Sequence, residues 1–124
     1  MGIKISEIAF TGYPVSDVQR AREFYEGILG LTPGDIDGEI PGMPGIYWVE
    51  YAIGSQTLAL SNAWSPSGQS GPSIALEVDD FQDAIDHLKG HGVKIVAECI
   101  ETPVCRMALI EDMDRNGITI HKRK

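Results

Sequence analysis

The chain has 124 residues, 43% hydrophobic and 23% charged, enough for one domain that buries a core without disulfide or metal staples. Its formal net charge of −8 makes a surface that repels phosphate backbones, so no nucleic-acid partner is expected, and the short basic end His121-Lys122-Arg123-Lys124 does not reverse this. No apolar run approaches the roughly 18–20 residues of a membrane span, so no membrane partner is expected either.

The first ten residues lack a charged region followed by a continuous apolar stretch, which argues against a signal peptide. Met1-Gly2 with Ser6 fits the short myristoylation pattern, but lipidation is the less favoured reading. Cys99 and Cys105 form no CxxC pair; two reduced thiols in a cytoplasm are expected.

Residues 3–15 read as a strand, with Ile3, Ile5, Ile8 and Phe10 apolar and Tyr13-Pro14 at its end. Ser16 or Asp17 then caps a helix, because a short oxygen-bearing side chain accepts from the free N–H groups of the first turn. Val18, Ala21, Phe24, Tyr25, Ile28 and Leu29 recur at helical spacing, and Gly30 is a stop. Residues 33–45, with four glycines and Pro41 and Pro44, read as a mobile loop or lid. Strands over 47–53 and 57–61 follow, separated by Gly54-Ser55, a hairpin signal. Residues 62–72 are rich in Ser, Gly and Pro and read as a connector.

The pattern then restarts. A strand over 73–78 precedes Asp79-Asp80, which caps a helix carrying Phe81, Ala84, Ile85 and Leu88 and closed by Gly90 and Gly92. Strands over 93–96, 106–111 and 117–121 complete the chain. At an offset of 63, Val15 meets Val78, Asp17 meets Asp80 and Ala21 meets Ala84. The chain is thus an α+β domain built from two copies of a strand–helix–three-strand unit.

Several local patterns imitate functional motifs. His87 and His91 would share a helix face, but no Glu follows His87, and histidines in a last turn suit the helix dipole. The stretch 112–117 (DMDRNG) imitates a calcium loop whose twelfth position, Arg123, is not the required Glu; a tight turn accounts for it. The glycines of 34–45 match no phosphate-binding pattern. Ser65, Ser67 and Ser70 lack a nucleophile elbow, and Cys105 reads as structural, with Arg106 pointing to the opposite face.

Three motifs in order resemble the vicinal oxygen chelate superfamily, the group of glyoxalase I, bleomycin-resistance proteins and extradiol dioxygenases. They are Tyr13-Pro14-Val15-Ser16-Asp17 with Arg20-Ala21-Arg22-Glu23-Phe24-Tyr25 and Ile28-Leu29-Gly30-Leu31, then Ile74-Ala75-Leu76-Glu77-Val78-Asp79-Asp80, then the 112–117 turn. The resemblance spans essentially all of the single domain 1–124. It implies two tandem βαβββ modules, about 3–62 and 73–122, whose mixed sheets curl around one cavity, often completed by homodimerisation.

By the same resemblance, the family's four metal positions fall on Phe10, Ala59, Ser73 and Thr119. None offers the imidazole or carboxylate that a catalytic divalent ion wants, so no cofactor is expected. Because strand side chains alternate, Glu77 and His121 share a face with Ser73 and Thr119, and Glu50 and Trp48 could join them. A displaced divalent-metal site on Glu50, Glu77 and His121 is the alternative. The first expectation is a small-molecule-binding protein acting by sequestration, its cavity lined by Phe10, Trp48, Glu50, Ala59, Ser73, Glu77, Thr119 and His121, with the loop 34–45 over the mouth. The second is a glyoxalase-like lyase or isomerase, or a dioxygenase, which uses the displaced metal ligands or, without metal, has His121 and Glu77 do acid–base work. The third is a structural or partner-binding domain whose cavity is filled by its own side chains.

Overall fold

The computed structural model describes residues 2, 4, 7–68 and 73–124. The expected strand residues Ile3 and Ile5 lie outside these, and Ile8 and Phe10 precede the first strand, β1 (Thr11–Pro14). Asp17 caps the first helix, its carboxylate accepting the Arg20 N–H at 3.1 Å. The helix is α-helical over Val18–Arg22 (α1) and then widens to a π-helical segment over Glu23–Ile28. That wider turn seats two successive aromatic rings, Phe24 and Tyr25, in the core.

The next segment corrects the expected lid. Pro33–Glu39 is a strand (β2) pairing antiparallel with β3 (Tyr47–Ile53), and only residues 40–46 turn back. Its composition reads as loop because β2 is an edge strand: Pro33 stands at its start, and a register shift between Pro33 and Asp37 interrupts the ladder. β3 pairs with β4 (Gln56–Ser61), which pairs in parallel with β1, giving the sheet order β1-β4-β3-β2.

The second module repeats this plan. β5 (Ile74–Glu77) leads to α2 (Phe81–Gly90), then β6 (Lys94–Glu101), β7 (Cys105–Glu111) and β8 (Gly117–Arg123), in the order β5-β8-β7-β6. β6 runs past its expected end at Val96, and two register shifts in its pairing with β7 explain why its alternation is hard to read. Asp80 caps α2 as Asp17 caps α1, accepting the Asp83 N–H at 3.0 Å. The equivalence extends to single bonds: Val15 N donates to Ser61 O, and Val78 N donates to His121 O.

The helices cover one face of both sheets. Tyr13, Val15, Val49, Tyr51, Leu58 and Leu60 from the first sheet and Ala108, Ile110, Ile118 and Ile120 from the second join Ala21, Phe24, Tyr25, Phe81, Ile85 and Leu88 in one buried cluster. Arg106 lies on that helix-covered side, its guanidinium 5.6 Å from the centre of the Phe81 ring, while neighbouring Cys105 is buried beside Thr102. The alternate residues of each strand form a second face turned away from the helices.

Polar bonds join the modules across long stretches of chain. The Tyr13 hydroxyl donates to Gly117 O at 2.6 Å and accepts the Ile74 N–H at 2.7 Å. Asp112, 6% exposed, accepts four bonds: Asp114 N and Asn116 N on Oδ1, Tyr25 OH and the Asn116 side-chain amide on Oδ2. The 112–117 stretch is therefore a turn closed by its own carboxylate, with Arg115 at φ 65°. Burial first, then the Asp112 charge, pushes the pKa of the Tyr25 phenol up, so Tyr25 remains a donor at every physiological pH. Replacing Tyr25 by Phe leaves Asp112 with three of its four donors. Urea unfolding should show a loss of about 1–3 kcal/mol, and a change below about 0.5 kcal/mol would show that the turn alone holds Asp112.

Candidate functional site

The expected lining residues fall into two groups, one on each sheet's open face. On the first sheet, Phe10, Trp48, Glu50 and Ala59 come together. Glu50 is the register partner of Ala59, and the Trp48 indole N–H donates to Glu50 Oε2 at 2.8 Å. Phe10 meets Trp48 edge-on, with ring centres 5.1 Å apart and planes at 87°.

A third ring completes this group. Trp64 lies 5.2 Å from Trp48, inclined at 62°, and its indole rests on Gly12. A Cβ at Gly12 would stand 2.7 Å from the ring, so the absence of a side chain there lets Trp64 lie flat on the sheet. The chain after β4 is pinned for this return. Ser61 Oγ accepts the Ala63 N–H at 3.0 Å, and Asn62 Oδ1 accepts the Tyr47 N–H at 2.8 Å. Sequence reasoning placed Trp64 in the connector and missed it; a large aromatic inside a Ser/Gly/Pro-rich stretch was the available signal.

On the second sheet, Glu77 and His121 are register partners, and His121 Nδ1 bonds Glu77 Oε1 at 2.5 Å. Glu77 Oε2 also accepts the Arg123 backbone N–H at 2.9 Å. That N–H first, and His121 second, hold the Glu77 carboxyl below its ordinary range. Ser73 and Thr119 line a hollow of about 150 Å³ with Val96 and Leu109.

Among the described residues, no hydrogen bond or ring contact joins the Trp48 group to the His121 group. Glu50 bonds Trp48, and no three His, Cys, Asp or Glu side chains among the described residues gather to hold a metal. The four ancestral positions carry a phenyl ring, a methyl group and two hydroxyls, a donor set that does not fit a catalytic divalent ion. His87 and His91 do share a face, ring centres 4.6 Å apart, with His87 Nε2 bonded to Ile28 O at 2.8 Å across the two modules.

A larger hollow, about 580 Å³, lies elsewhere, between the start of α1 and the β2–β3 edge. Its charged groups are already engaged: Asp17 caps the helix, and Arg22 pairs with Glu26 and Asp37. It offers little unspent recognition chemistry. On the second sheet, carbon-13 NMR titration should place the Glu77 carboxyl midpoint below that of an ordinary exposed glutamate. His121→Ala should raise that midpoint only part of the way, because the Arg123 N–H remains. In the linkage sense, a carboxyl depressed on folding stabilises above its unfolded pKa, and that support is lost as pH falls through the folded value.

A family model described as the Glyoxalase/Bleomycin resistance protein/Dioxygenase superfamily matches residues 6–121. Similar solved structures include TnmS3, an antibiotic binding protein from Streptomyces sp. CB03234, 26% identical with a TM-score of 0.78, covering 99% of this chain and 100% of that one. A glyoxalase/bleomycin resistance protein from the same strain is 25% identical, TM-score 0.72, covering 92% and 98%. A superfamily member from Sphaerobacter thermophilus DSM 20745, 22% identical with a TM-score of 0.75 and covering 95% and 98%, shares the fold. No curated protein matches. With the family model spanning nearly its whole length, and with paired βαβββ sheets as found in these structures, the chain belongs to the glyoxalase/bleomycin resistance protein/dioxygenase superfamily.

Proposed function

We propose that the protein binds a small, partly apolar organic molecule on its open sheet faces and acts by sequestration. The observation that carries this is the Phe10–Trp48–Trp64 cluster, which leaves Phe10 41% and Trp64 39% exposed on a surface where packing alone would bury them. Aromatic walls with a few fixed polar groups are the usual make-up of a small-molecule site. Ser73, Glu77, Thr119 and His121 are the polar complement on the second sheet. The antibiotic-binding neighbour TnmS3 supports the same class of ligand. A homodimer in the cytoplasm belongs to this reading, the second copy walling the open faces and enclosing the site.

The His121–Glu77 pair favours a second reading, metal-free acid–base chemistry. A carboxylate on Nδ1 fixes the imidazole and leaves Nε2 to exchange a proton. In that case His121→Ala abolishes turnover while ligand affinity is mostly kept; parallel loss of both assigns His121 to binding.

Both tryptophans of the chain sit in the cluster, so intrinsic fluorescence reads it directly. The uncharged probe N-phenyl-1-naphthylamine should quench this emission saturably. Trp48→Ala should weaken binding about tenfold, the scale of losing an aromatic contact with its buried area. Undiminished binding to the variant would place the ligand elsewhere.

A further inference from the structure

Resting on the small-molecule reading, we infer that the Phe10–Trp48–Trp64 cluster with Glu50 is a receptor for an organic cation, an alkylated ammonium group. The charge on this face favours a cation. Glu50 is the one formally charged side chain in β1, β3 and β4, so its field on this face is opposed by no cation of those strands. Its Oε2 is occupied by the Trp48 indole N–H, while among the described residues Oε1 accepts no hydrogen bond. That second oxygen is open to solvent and within reach of a ligand cation, whose charge would pair with it.

The ring geometry suits a cation as well. Trp48 stands at 87° to Phe10 and 62° to Trp64, so the three rings are differently oriented, and the central one is bonded to the carboxylate. Ring faces carry the negative end of the aromatic quadrupole, and crossed faces around an alkylammonium are how such cations are held. The Glu50 bond fixes the Trp48 ring in place, so little ordering is left for binding.

The internal repeat provides a control. Trp48 and Glu50 pair with Ser61 and Ala59, as Met107 and Leu109 pair with His121 and Thr119, so the second sheet carries Met107 and Leu109 at the corresponding places. A carboxylate is therefore no requirement of the strand architecture at this position. Gly12 likewise corresponds to Ala75, each paired across its parallel ladder with Ala59 and Thr119. The strand accepts a Cβ in the second module, and only Trp64 forbids one in the first.

Choline and 3,3-dimethylbutan-1-ol, its uncharged isostere with carbon in place of nitrogen, test the inference. The two indole N–H signals in a proton–nitrogen NMR spectrum report on Trp48 and Trp64 alone. Choline should shift both saturably, with the isostere about tenfold weaker. Glu50→Gln, which keeps an acceptor for Trp48, should reduce choline to the level of the isostere. Gly12→Ala should lift Trp64 and weaken choline about fivefold with unchanged circular dichroism. Equal binding of the two probes by the unaltered protein would overturn the cation assignment and leave the small-molecule reading standing. If neither probe moves either signal, but dilution of the protein does, a second copy fills the box and both readings fail.

Discussion

One buried carboxylate organises the meeting of the two modules. Asp112 accepts hydrogen bonds from Tyr25, 87 residues away, and from three donors in its own turn. The same turn carries Asp114, which receives the Ser16 N–H and hydroxyl, and Asn116, whose amide donates to Pro14 O. The end of β1, the start of the first helix and the π-helical segment are thereby all fixed to the turn before β8. A buried charge that lost these donors would be expensive, so the turn and the first module stabilise each other. The orientation of β1, and with it the floor under Phe10 and Trp64, follows from this junction.

The second consequence is a division of labour between sheet faces. Helices and core residues occupy one side, and on that side the modules are alike: equivalent caps, equivalent parallel ladders, equivalent closing bonds. On the open side they diverge. The first sheet carries aromatic rings and an unopposed carboxylate, the second a histidine–carboxylate pair and hydroxyls. Constraint from packing thus keeps one face of the duplication symmetric, while the other face is free to differ.

That division also explains what could be read before the structure. The repeat was legible because caps and core positions obey local rules with fixed periods: Asp17 and Asp80 announce helices, and Val15 and Val78 close strands. Strand alternation likewise put Glu77 and His121 on one face, and they bond there. β2 was hidden because an edge strand needs only one ladder, so glycines, a proline and a bulge do not disqualify it. Trp64 was hidden because its position depends on Gly12, 52 positions earlier, and no period links the two. Parity has its own limit: it says which face a residue takes, not which residues of two sheets meet.

The edge strand has a bearing on the life of the protein in a crowded solution. β2 lies at the end of its sheet, and an outer strand edge of this kind could recruit strands from other chains into an aggregate. Its proline at the start, its bulge and its carboxylates Asp35, Asp37 and Glu39 all oppose such growth, through a missing donor, a broken register and mutual repulsion. The features that disguise this segment as a loop are the same ones that keep its free edge from polymerising.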